Sequence, residues 1–212
     1  MIYPVPSGGF SKKKKKKKSK LPIVITSILL VLAVLITYVF FSYNSLYSSR
    51  EMTEDKVDYL FFLEEQKDIV FIRTDLSGKI SYVISFPSIS YEPIMAVSTD
   101  FENPKDIYSS VEKLFGSANM GFYATLDKAD CRKLADLLGI QSMSSDSQET
   151  AKEIVEAFRT HKPGFMEFMF FGESKKVLDL IRNDNLDAKS AFRLLYMLNG
   201  YAMKFTPIEF LT

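Results

Sequence analysis

The sequence has 212 residues, of which 47% are hydrophobic and 14% aromatic, and its formal net charge is +1. This composition excludes an intrinsically disordered chain, because disordered chains contain few aromatic residues and carry a high net charge. With Cys131 and His161 as its one cysteine and one histidine, the chain can form neither an intramolecular disulfide nor a metal site built from several of these ligands.

The near-neutral total charge hides two segments of opposite sign. Eight lysines precede the first apolar segment, which leaves 19 basic against 26 acidic residues in the rest of the chain, a net charge of −7. An acidic domain lacks the clustered basic side chains that phosphate backbones require. We therefore expect no nucleic-acid partner.

The N-terminal tail, residues 1–20, is of low complexity, and we expect it to be disordered. Each of its lysines gains about 1 kcal/mol near an anionic membrane surface. The expected partner of the tail is therefore the anionic inner leaflet of a bilayer. The predicted membrane-surface residues are Lys12, Lys13, Lys14, Lys15, Lys16, Lys17, Lys18 and Lys20.

An uncharged segment of 21 residues, 21–41, follows the tail. At a rise of ~1.5 Å per residue, a helix of this length crosses a ~30 Å hydrocarbon core. The lysines before it predict a cytoplasmic N-terminus and an extracytoplasmic C-terminal domain. A cleaved signal peptide is the alternative, but the apolar segment exceeds a signal's roughly 7–15 residues and lacks a small-x-small cleavage site. We predict an uncleaved transmembrane helix over 21–43 and a linker or helix extension over 44–56.

The remaining residues, 57–212, alternate between strand and helix patterns. Runs of β-branched and aromatic residues predict strands, and those at 68–73 and 79–86 form a hairpin with Gly78 in its turn. Pro87 closes the second hairpin strand, and a loop follows over 89–103. The further predicted strands are 57–63, 120–126, 165–171 and 203–206.

Apolar spacing and capping residues predict five helices in the same region. Asp127 and Gly139 are expected to begin and end the second of them, and Gly116 to end the first. The alternation of predicted strands and helices indicates an α/β domain. We expect a layered α-β-α ectodomain with a central mixed sheet. The predicted helices are 105–115, 127–138, 144–159, 175–182 and 187–198.

No catalytic or metal-binding motif occurs in the sequence: there is no Walker A loop, GxGxxG, GxSxG or HExxH. We interpret Cys131 as a small hydrophobe on a helix, with an intermolecular disulfide as the alternative. His161, beside a Lys-Pro-Gly turn, is interpreted as a solvated polar residue. The aromatic runs at 61–62 and 165–171 favour core packing over the alternative, a lipid-binding cleft.

Two blocks of the sequence resemble LytR-CpsA-Psr domains. Residues 68–90, DIVFIRTDLSGKISYVISFPSIS, resemble the first block, in which a strand that opens with an Asp leads to a strand ending in SIPRD. Residues 106–140 resemble the second block, with Phe115-Gly116 and Leu138-Gly139-Ile140 in place of its LLGI and LGG. Asn185-Leu186-Asp187 is similar to the TNLS start of the family's C-terminal helix.

This resemblance implies a transferase that moves phosphate-linked glycopolymers from a polyprenyl-pyrophosphate carrier to the bacterial cell wall. It also implies a central sheet flanked by helices, an apolar channel for the lipid, two Asp residues that hold Mg²⁺, and arginines that bind the pyrophosphate. Such a division suits phosphoryl transfer, which depends on positioning and charge neutralisation.

The chain departs from this pattern at the charged positions. Asp68 matches the first metal-binding Asp, whereas Ser88 and Ile89 stand where the family has Arg-Asp. A hydroxyl cannot replace a guanidinium fork, and isoleucine cannot ligate a hard cation. The later arginine-rich block is absent as well. Asp68 is therefore the candidate ligand-binding residue, with a plain strand-start role equally open. The Lys and Arg residues over 146–172 are Lys152, Arg159 and Lys162.

We therefore expect a membrane-anchored cell-envelope accessory protein, without catalysis or cofactor, that binds a polyprenyl-linked glycolipid or a partner protein. One alternative is an active Mg²⁺-dependent glycopolymer transferase with relocated ligands, namely Asp75, Asp100 or Glu102 with Arg132. A second is an unrelated bitopic interaction protein of an envelope assembly, whose sheet would not place the two hairpin strands at its centre.

Overall fold

The structure, a computed structural model, describes residues 21–87, 104–183 and 185–207. It divides into two units, which meet in sequence between Phe40 and Phe41. Helix α1 (Leu21–Tyr47) is uncharged and has 27 residues. Within the described part of the chain it is the one helix long and apolar enough to cross a membrane. It fits a single-pass membrane protein, and the lysines that predict its orientation lie outside the described residues.

The segment predicted as a linker or helix extension, 44–56, contains the last turn of α1 and a short helix α2 (Arg50–Thr53). The polar composition of this segment does not prevent helix formation, because a helix continuing from an apolar span needs no new nucleus.

Six strands form one sheet in the order β5-β4-β1-β2-β3-β6. The hairpin is confirmed, since β2 and β3 are antiparallel, whereas the β1/β4 and β3/β6 pairs are parallel. The sheet is therefore mixed, as predicted, and β2 lies inside it between β1 and β3. The strands are β1 (Lys56–Leu63), β2 (Asp68–Asp75), β3 (Ile80–Pro87), β4 (Met120–Leu126), β5 (Arg182–Asn183) and β6 (Ala202–Pro207).

Helices cover both faces of this sheet, which confirms the α-β-α layering. Alternate residues of β1 point to opposite faces: Tyr59 and Phe61 pack in the larger cluster with α4, α5, α7 and α8, and Leu60 and Phe62 pack in the smaller one with α3. Both faces of the strand are buried, and the residues from Tyr59 to Leu63 are accordingly hydrophobic without polar alternation. The helices are α3 (Pro104–Phe115), α4 (Lys128–Leu138), α5 (Ser147–Thr160), α6 (Glu167–Phe170), α7 (Gly172–Leu180) and α8 (Ala188–Gly200).

The capping residues identified in the sequence begin and end their helices. The Asp127 side chain accepts a hydrogen bond from the Asp130 amide at the start of α4, and Gly139 ends the helix at φ 69°. The Asp146 carboxylate likewise accepts the amides of Gln148 and Glu149 at the start of α5. Local side-chain chemistry thus fixes where both helices begin.

The strand predicted at 165–171 is wrong, since this segment contains the short helix α6. The buried Glu167 carboxylate accepts hydrogen bonds from the Glu173 amide at 3.1 Å and the Ser174 amide at 2.8 Å. These contacts attach α6 to the first turn of α7 and satisfy amides that a helix start leaves without partners.

The boundaries of the fourth predicted helix also differ. Helix α7 begins at Gly172 and ends at Leu180, and the next residues form β5, which pairs with β4. The predicted loop over 89–103 lies outside the described residues.

Candidate functional site

One edge of the sheet collects the carboxyl ends of four strands and the start of β2. Register places Leu63 opposite Asp68, and Asp68 opposite Pro87. The parallel partners β4 and β6 end at this edge too, at Leu126 and Pro207. In open α/β sheets, ligands bind outside the carboxyl ends of the strands. A ligand-binding site is therefore expected at this edge.

Asp68 lies at this edge, 4% exposed, against the start of α5. The pKa of its carboxyl is raised, mainly by burial and also by the charge of Asp146. A hydrogen bond with Ser147 acts in the opposite direction and lowers this pKa. A carboxylate is stabilised near a helix N-terminus, where backbone amides carry partial positive charge. This contact gives Asp68 a structural partner in α5, and its role as a ligand-binding residue stays a prediction.

Asp75, one of the relocated ligands considered in the sequence, does not lie beside Asp68. Asp75 ends the same strand, seven residues away, so the two residues lie about 23 Å apart at ~3.3 Å per residue. Its carboxylate accepts the Gly78 amide at 2.6 Å and shapes the hairpin turn. Asp75 is therefore excluded as a partner of Asp68 in one metal site.

The other candidate residues are distributed as follows. Arg132 lies on α4 and lines a pocket of about 470 Å³ with Glu65, Gln66 and Asp136. Within the described ranges, no group of three or more His, Cys, Asp or Glu side chains could hold a metal ion. Four positions that the sequence singled out lie outside the described residues: Ser88, Ile89, Asp100 and Glu102.

Two arginines that could have bound a phosphate hold the fold together instead. The Arg73 guanidinium donates to both carboxylate oxygens of the buried Asp58. Arg193, 1% exposed, donates to the backbone carbonyls of Glu51 and Glu54 at 2.8 and 2.6 Å, and to that of Asp55 at 3.1 Å. A guanidinium with its donors directed at internal acceptors cannot bind an external anion.

A groove of about 470 Å³ lies between α4, α5 and β6. We call it the apolar groove, after the five hydrophobic residues that line it together with Lys152, Arg159, Glu153 and Glu156. The hydrophobic residues are Leu138, Ile140, Val155, Met203 and Phe205.

A small hollow connects the apolar groove with the sheet edge. It shares Lys152 and Phe205 with the groove and is also lined by Ser85 and Gln148. Ser85 lies two residues before the end of β3, and Gln148 follows the serine that contacts Asp68. The polar edge of the sheet and the apolar groove therefore form one continuous surface.

Lys152 lies where the hollow and the groove meet. It is exposed, and no salt bridge between described residues engages it, whereas Arg159 pairs with Glu156 at 3.3 Å. Sequence reasoning noted Lys152 as a basic residue without assigning it a role. The spacing of Lys152, Val155 and Arg159 along one helix face was the available signal.

The fold is similar to solved bacterial structures at low sequence identity. The Lin1025 protein from Listeria innocua superposes with a TM-score of 0.51 and 13% identity, covering 74% of this chain and 84% of that one. TagV from B. subtilis superposes with a TM-score of 0.50 and 8% identity, covering 74% and 86%. No protein-family model matches the sequence, and no curated protein matches it.

These similarities concern the fold. TagV is a LytR-CpsA-Psr protein, so the domain that follows α1 has the fold that the sequence blocks predicted. The strand order that would have favoured an unrelated interaction protein is not the one observed, because β2 and β3 lie side by side within the sheet. Which chemistry this chain performs depends on its own residues.

Proposed function

We propose that the chain is a membrane-anchored cell-envelope protein whose outer domain binds an anionic, prenyl-linked glycolipid without transferring its glycan. The observation that carries the proposal is the apolar groove with Lys152, which forms no salt bridge with a described residue, at its polar end. A groove of this kind suits a ligand with a hydrocarbon chain and a negatively charged head.

The size and lining of the groove support a lipid chain. Its volume of about 470 Å³ lies within the ~300–1,000 Å³ usual for small-molecule sites. Burying hydrocarbon against its hydrophobic residues is favourable because apolar surface leaves water. The groove holds a few isoprene units, and the rest of a long chain would stay in the membrane.

The charge at the other end supports an anionic head. Lys152 lines both the apolar groove and the hollow, so it lies beside a phosphate bound at this end of the groove. A lysine binds phosphate as a point charge. The hydroxyl of Ser85 and the amide of Gln148 add neutral hydrogen-bonding groups in the hollow.

The surroundings of Asp68 favour binding over transfer. The described neighbours that shift its pKa besides burial are Ser147 and Asp146, neither of them basic. Arg73 and Arg193 are bound to internal acceptors. Transfer of a phosphoryl group needs cationic groups that neutralise the developing charge. The basic residues described near this edge are Lys67, Lys128, Arg132 and Lys152, and none of them is among the groups that shift the pKa of Asp68.

The direct test is binding of a short prenyl pyrophosphate to the purified full chain in detergent, in Mg²⁺ and in EDTA. We expect saturable binding that is the same in both buffers. Lys152→Ala should weaken it by about tenfold, equivalent to ~1.4 kcal/mol. Binding that requires Mg²⁺, or glycopolymer transfer by the wild-type protein, contradicts the proposal.

A matched control separates the site from general charge effects. Lys113 is an exposed lysine on α3, on the other side of the sheet. Lys113→Ala makes the same charge change and should leave binding unaltered. Equal weakening by both variants would mean that binding is non-specific.

The alternative, a Mg²⁺-dependent transferase, has one observation in its favour. Asp146 is close enough to Asp68 to raise the pKa of that carboxyl, and neighbouring carboxylates are the ligands that Mg²⁺ uses. Asp146, however, already accepts two amides of α5. In a transferase, Asp68→Asn would abolish Mg²⁺-dependent activity, whereas a binding protein has no such activity to lose.

A further inference from the structure

A second hydrophobic surface lies away from the groove, on and before α6. Phe165 is 85% exposed, Phe170 59% and Met166 44%. We call these three residues the α6 patch. Single exposed hydrophobic residues are common, but several large ones together mark a contact surface.

The buried residues of α6 fix the position of the α6 patch. Phe168, between the exposed residues, is 5% exposed and points inward, and Glu167 is 6% exposed. The Glu167 carboxylate accepts two amides and the Ser174 hydroxyl from the first turn of α7. The rings of Phe165 and Phe170 are therefore displayed by a segment whose inner face is packed and hydrogen-bonded.

Aromatic contacts place the α6 patch beside the residues that follow the apolar segment 21–41. The Phe168 and Tyr43 rings meet edge-on with centroids 5.5 Å apart. A second connection runs through Phe192, whose ring contacts Tyr47 at 6.2 Å and Phe171 at 6.5 Å. All of these residues belong to the second unit. The α6 patch is thus next to the end of α1.

We propose that the α6 patch inserts into the interfacial layer of the bilayer that α1 crosses, on its C-terminal side. Aromatic rings favour the headgroup level of a membrane, and hydrophobic side chains on a fixed helix face enter the headgroup–acyl boundary. The exposed Lys162 and Lys175 flank the patch in sequence and can reach anionic headgroups. The outer domain then contacts the membrane at two places, α1 and α6.

This geometry has a consequence for the outer domain. A domain connected by one helix can rotate about that helix, whereas a second membrane contact fixes its orientation. The α6 patch and the apolar groove share no residue, so substitutions in the patch leave the lining of the groove unchanged.

Tryptophan reporters test the proposal, because the chain has no tryptophan of its own. Phe165→Trp and Phe170→Trp are prepared in the full chain and reconstituted into phosphatidylcholine–phosphatidylglycerol vesicles. A second set of vesicles carries lipids brominated along their acyl chains, which quench tryptophan in the membrane. We expect both reporters to lose emission intensity in brominated vesicles and to emit at shorter wavelength than in denaturant.

Two matched reporters give the experiment its controls. Leu32→Trp, within the apolar segment of α1, must be quenched, and Leu114→Trp, a 37% exposed residue of α3 on the other side of the sheet, must not be. Quenching of Leu32→Trp without quenching at 165 and 170 overturns the proposal and leaves the transmembrane helix intact.

Other occupants of the α6 patch give different results. A second copy or a protein partner would shift the emission of Phe165→Trp to shorter wavelength without quenching by brominated lipid. That result overturns the proposal, as does equal quenching of Leu114→Trp, which would indicate non-specific adsorption.

Discussion

Arg73 on β2 and Asp58 on β1 form a bidentate salt bridge, with Nε 2.7 Å from Oδ1 and Nη2 2.7 Å from Oδ2. The Asp58 side chain is fully buried. The same guanidinium donates to the carbonyls of Phe115 at 2.9 Å and Gly116 at 2.6 Å, at the end of α3. One arginine therefore neutralises a buried carboxylate and attaches a helix to the sheet.

Arg73→Ala should strongly destabilise the α/β domain that follows α1. The substitution leaves the Asp58 carboxylate buried without a counter-charge, and breaking one side of such a pair costs about 3–5 kcal/mol. The measurement is urea denaturation of the full chain in a mild detergent, followed by circular dichroism. A free energy of unfolding unchanged from wild type would contradict this role.

Arg50→Ala is the matched control for this experiment. Arg50 pairs with Glu54 at 3.0 Å, but its side chain is 65% exposed. Water screens such surface pairs, so they contribute little to stability. We expect a much smaller loss than for Arg73→Ala, because no charge is left buried.

Asp68→Asn should change the pH dependence of stability. Burial raises the pKa of the Asp68 carboxyl, so the folded protein holds this proton more tightly than the unfolded chain. The stability from protonation is present below the unfolded pKa and is lost as pH rises through the folded pKa. Asparagine does not titrate, so the variant should gain melting temperature relative to wild type as the pH rises above the unfolded pKa of about 4.

The same variant tests the metal hypothesis. If Asp68 held Mg²⁺, the ion would raise the melting temperature of the wild type and not of Asp68→Asn. We expect the two proteins to respond alike to Mg²⁺ and EDTA. Asp106→Asn, at an exposed carboxyl of α3, controls for the loss of one negative charge.

Gly121→Ala should destabilise the α3 face of the sheet. A Cβ at this position would clash with the hydroxyl oxygen and the ring of Tyr108. The ring must therefore move, and overpacking of this kind costs about 1–3 kcal/mol. In a Tyr108→Ala background the clash disappears, so the same substitution should cost less. Equal costs in both backgrounds would contradict the contact.

Local signals in the sequence predicted much of the fold. Asp127 begins α4 and Gly139 ends it, because a side-chain cap and a left-handed glycine both act within one helical turn. The strand prediction at 165–171 failed because its aromatic residues favour strands, whereas Glu167 binds amides of α7. A contact with the next helix overrode the local preference.

The candidate site was predictable only in part. The hairpin placed Asp68 at a strand end, and it also implied that Asp75 lies at the opposite end of the same strand. The apolar groove could not be predicted, because its walls come from α4, α5 and β6. Residues separated so far in sequence meet only through the tertiary fold.

Cys131 should be unreactive at neutral pH in the folded protein. The side chain is 6% exposed and packs in the larger hydrophobic cluster. Burial first, and then the charges of Glu65 and Asp130, raise the pKa of its thiol to about 11. Since the thiolate is the reactive form, both burial and protonation oppose disulfide formation.

Thiol labelling with Ellman's reagent, with and without urea, measures this reactivity. We expect slow labelling of the native protein and rapid labelling in urea. A Cys131→Ser/Ser145→Cys variant moves the one thiol to an exposed loop position and should react at once in the native state. Prompt labelling of native wild type would favour the alternative, an intermolecular disulfide through Cys131. A thiol that is accessible to the reagent is also accessible to the thiol of a second chain.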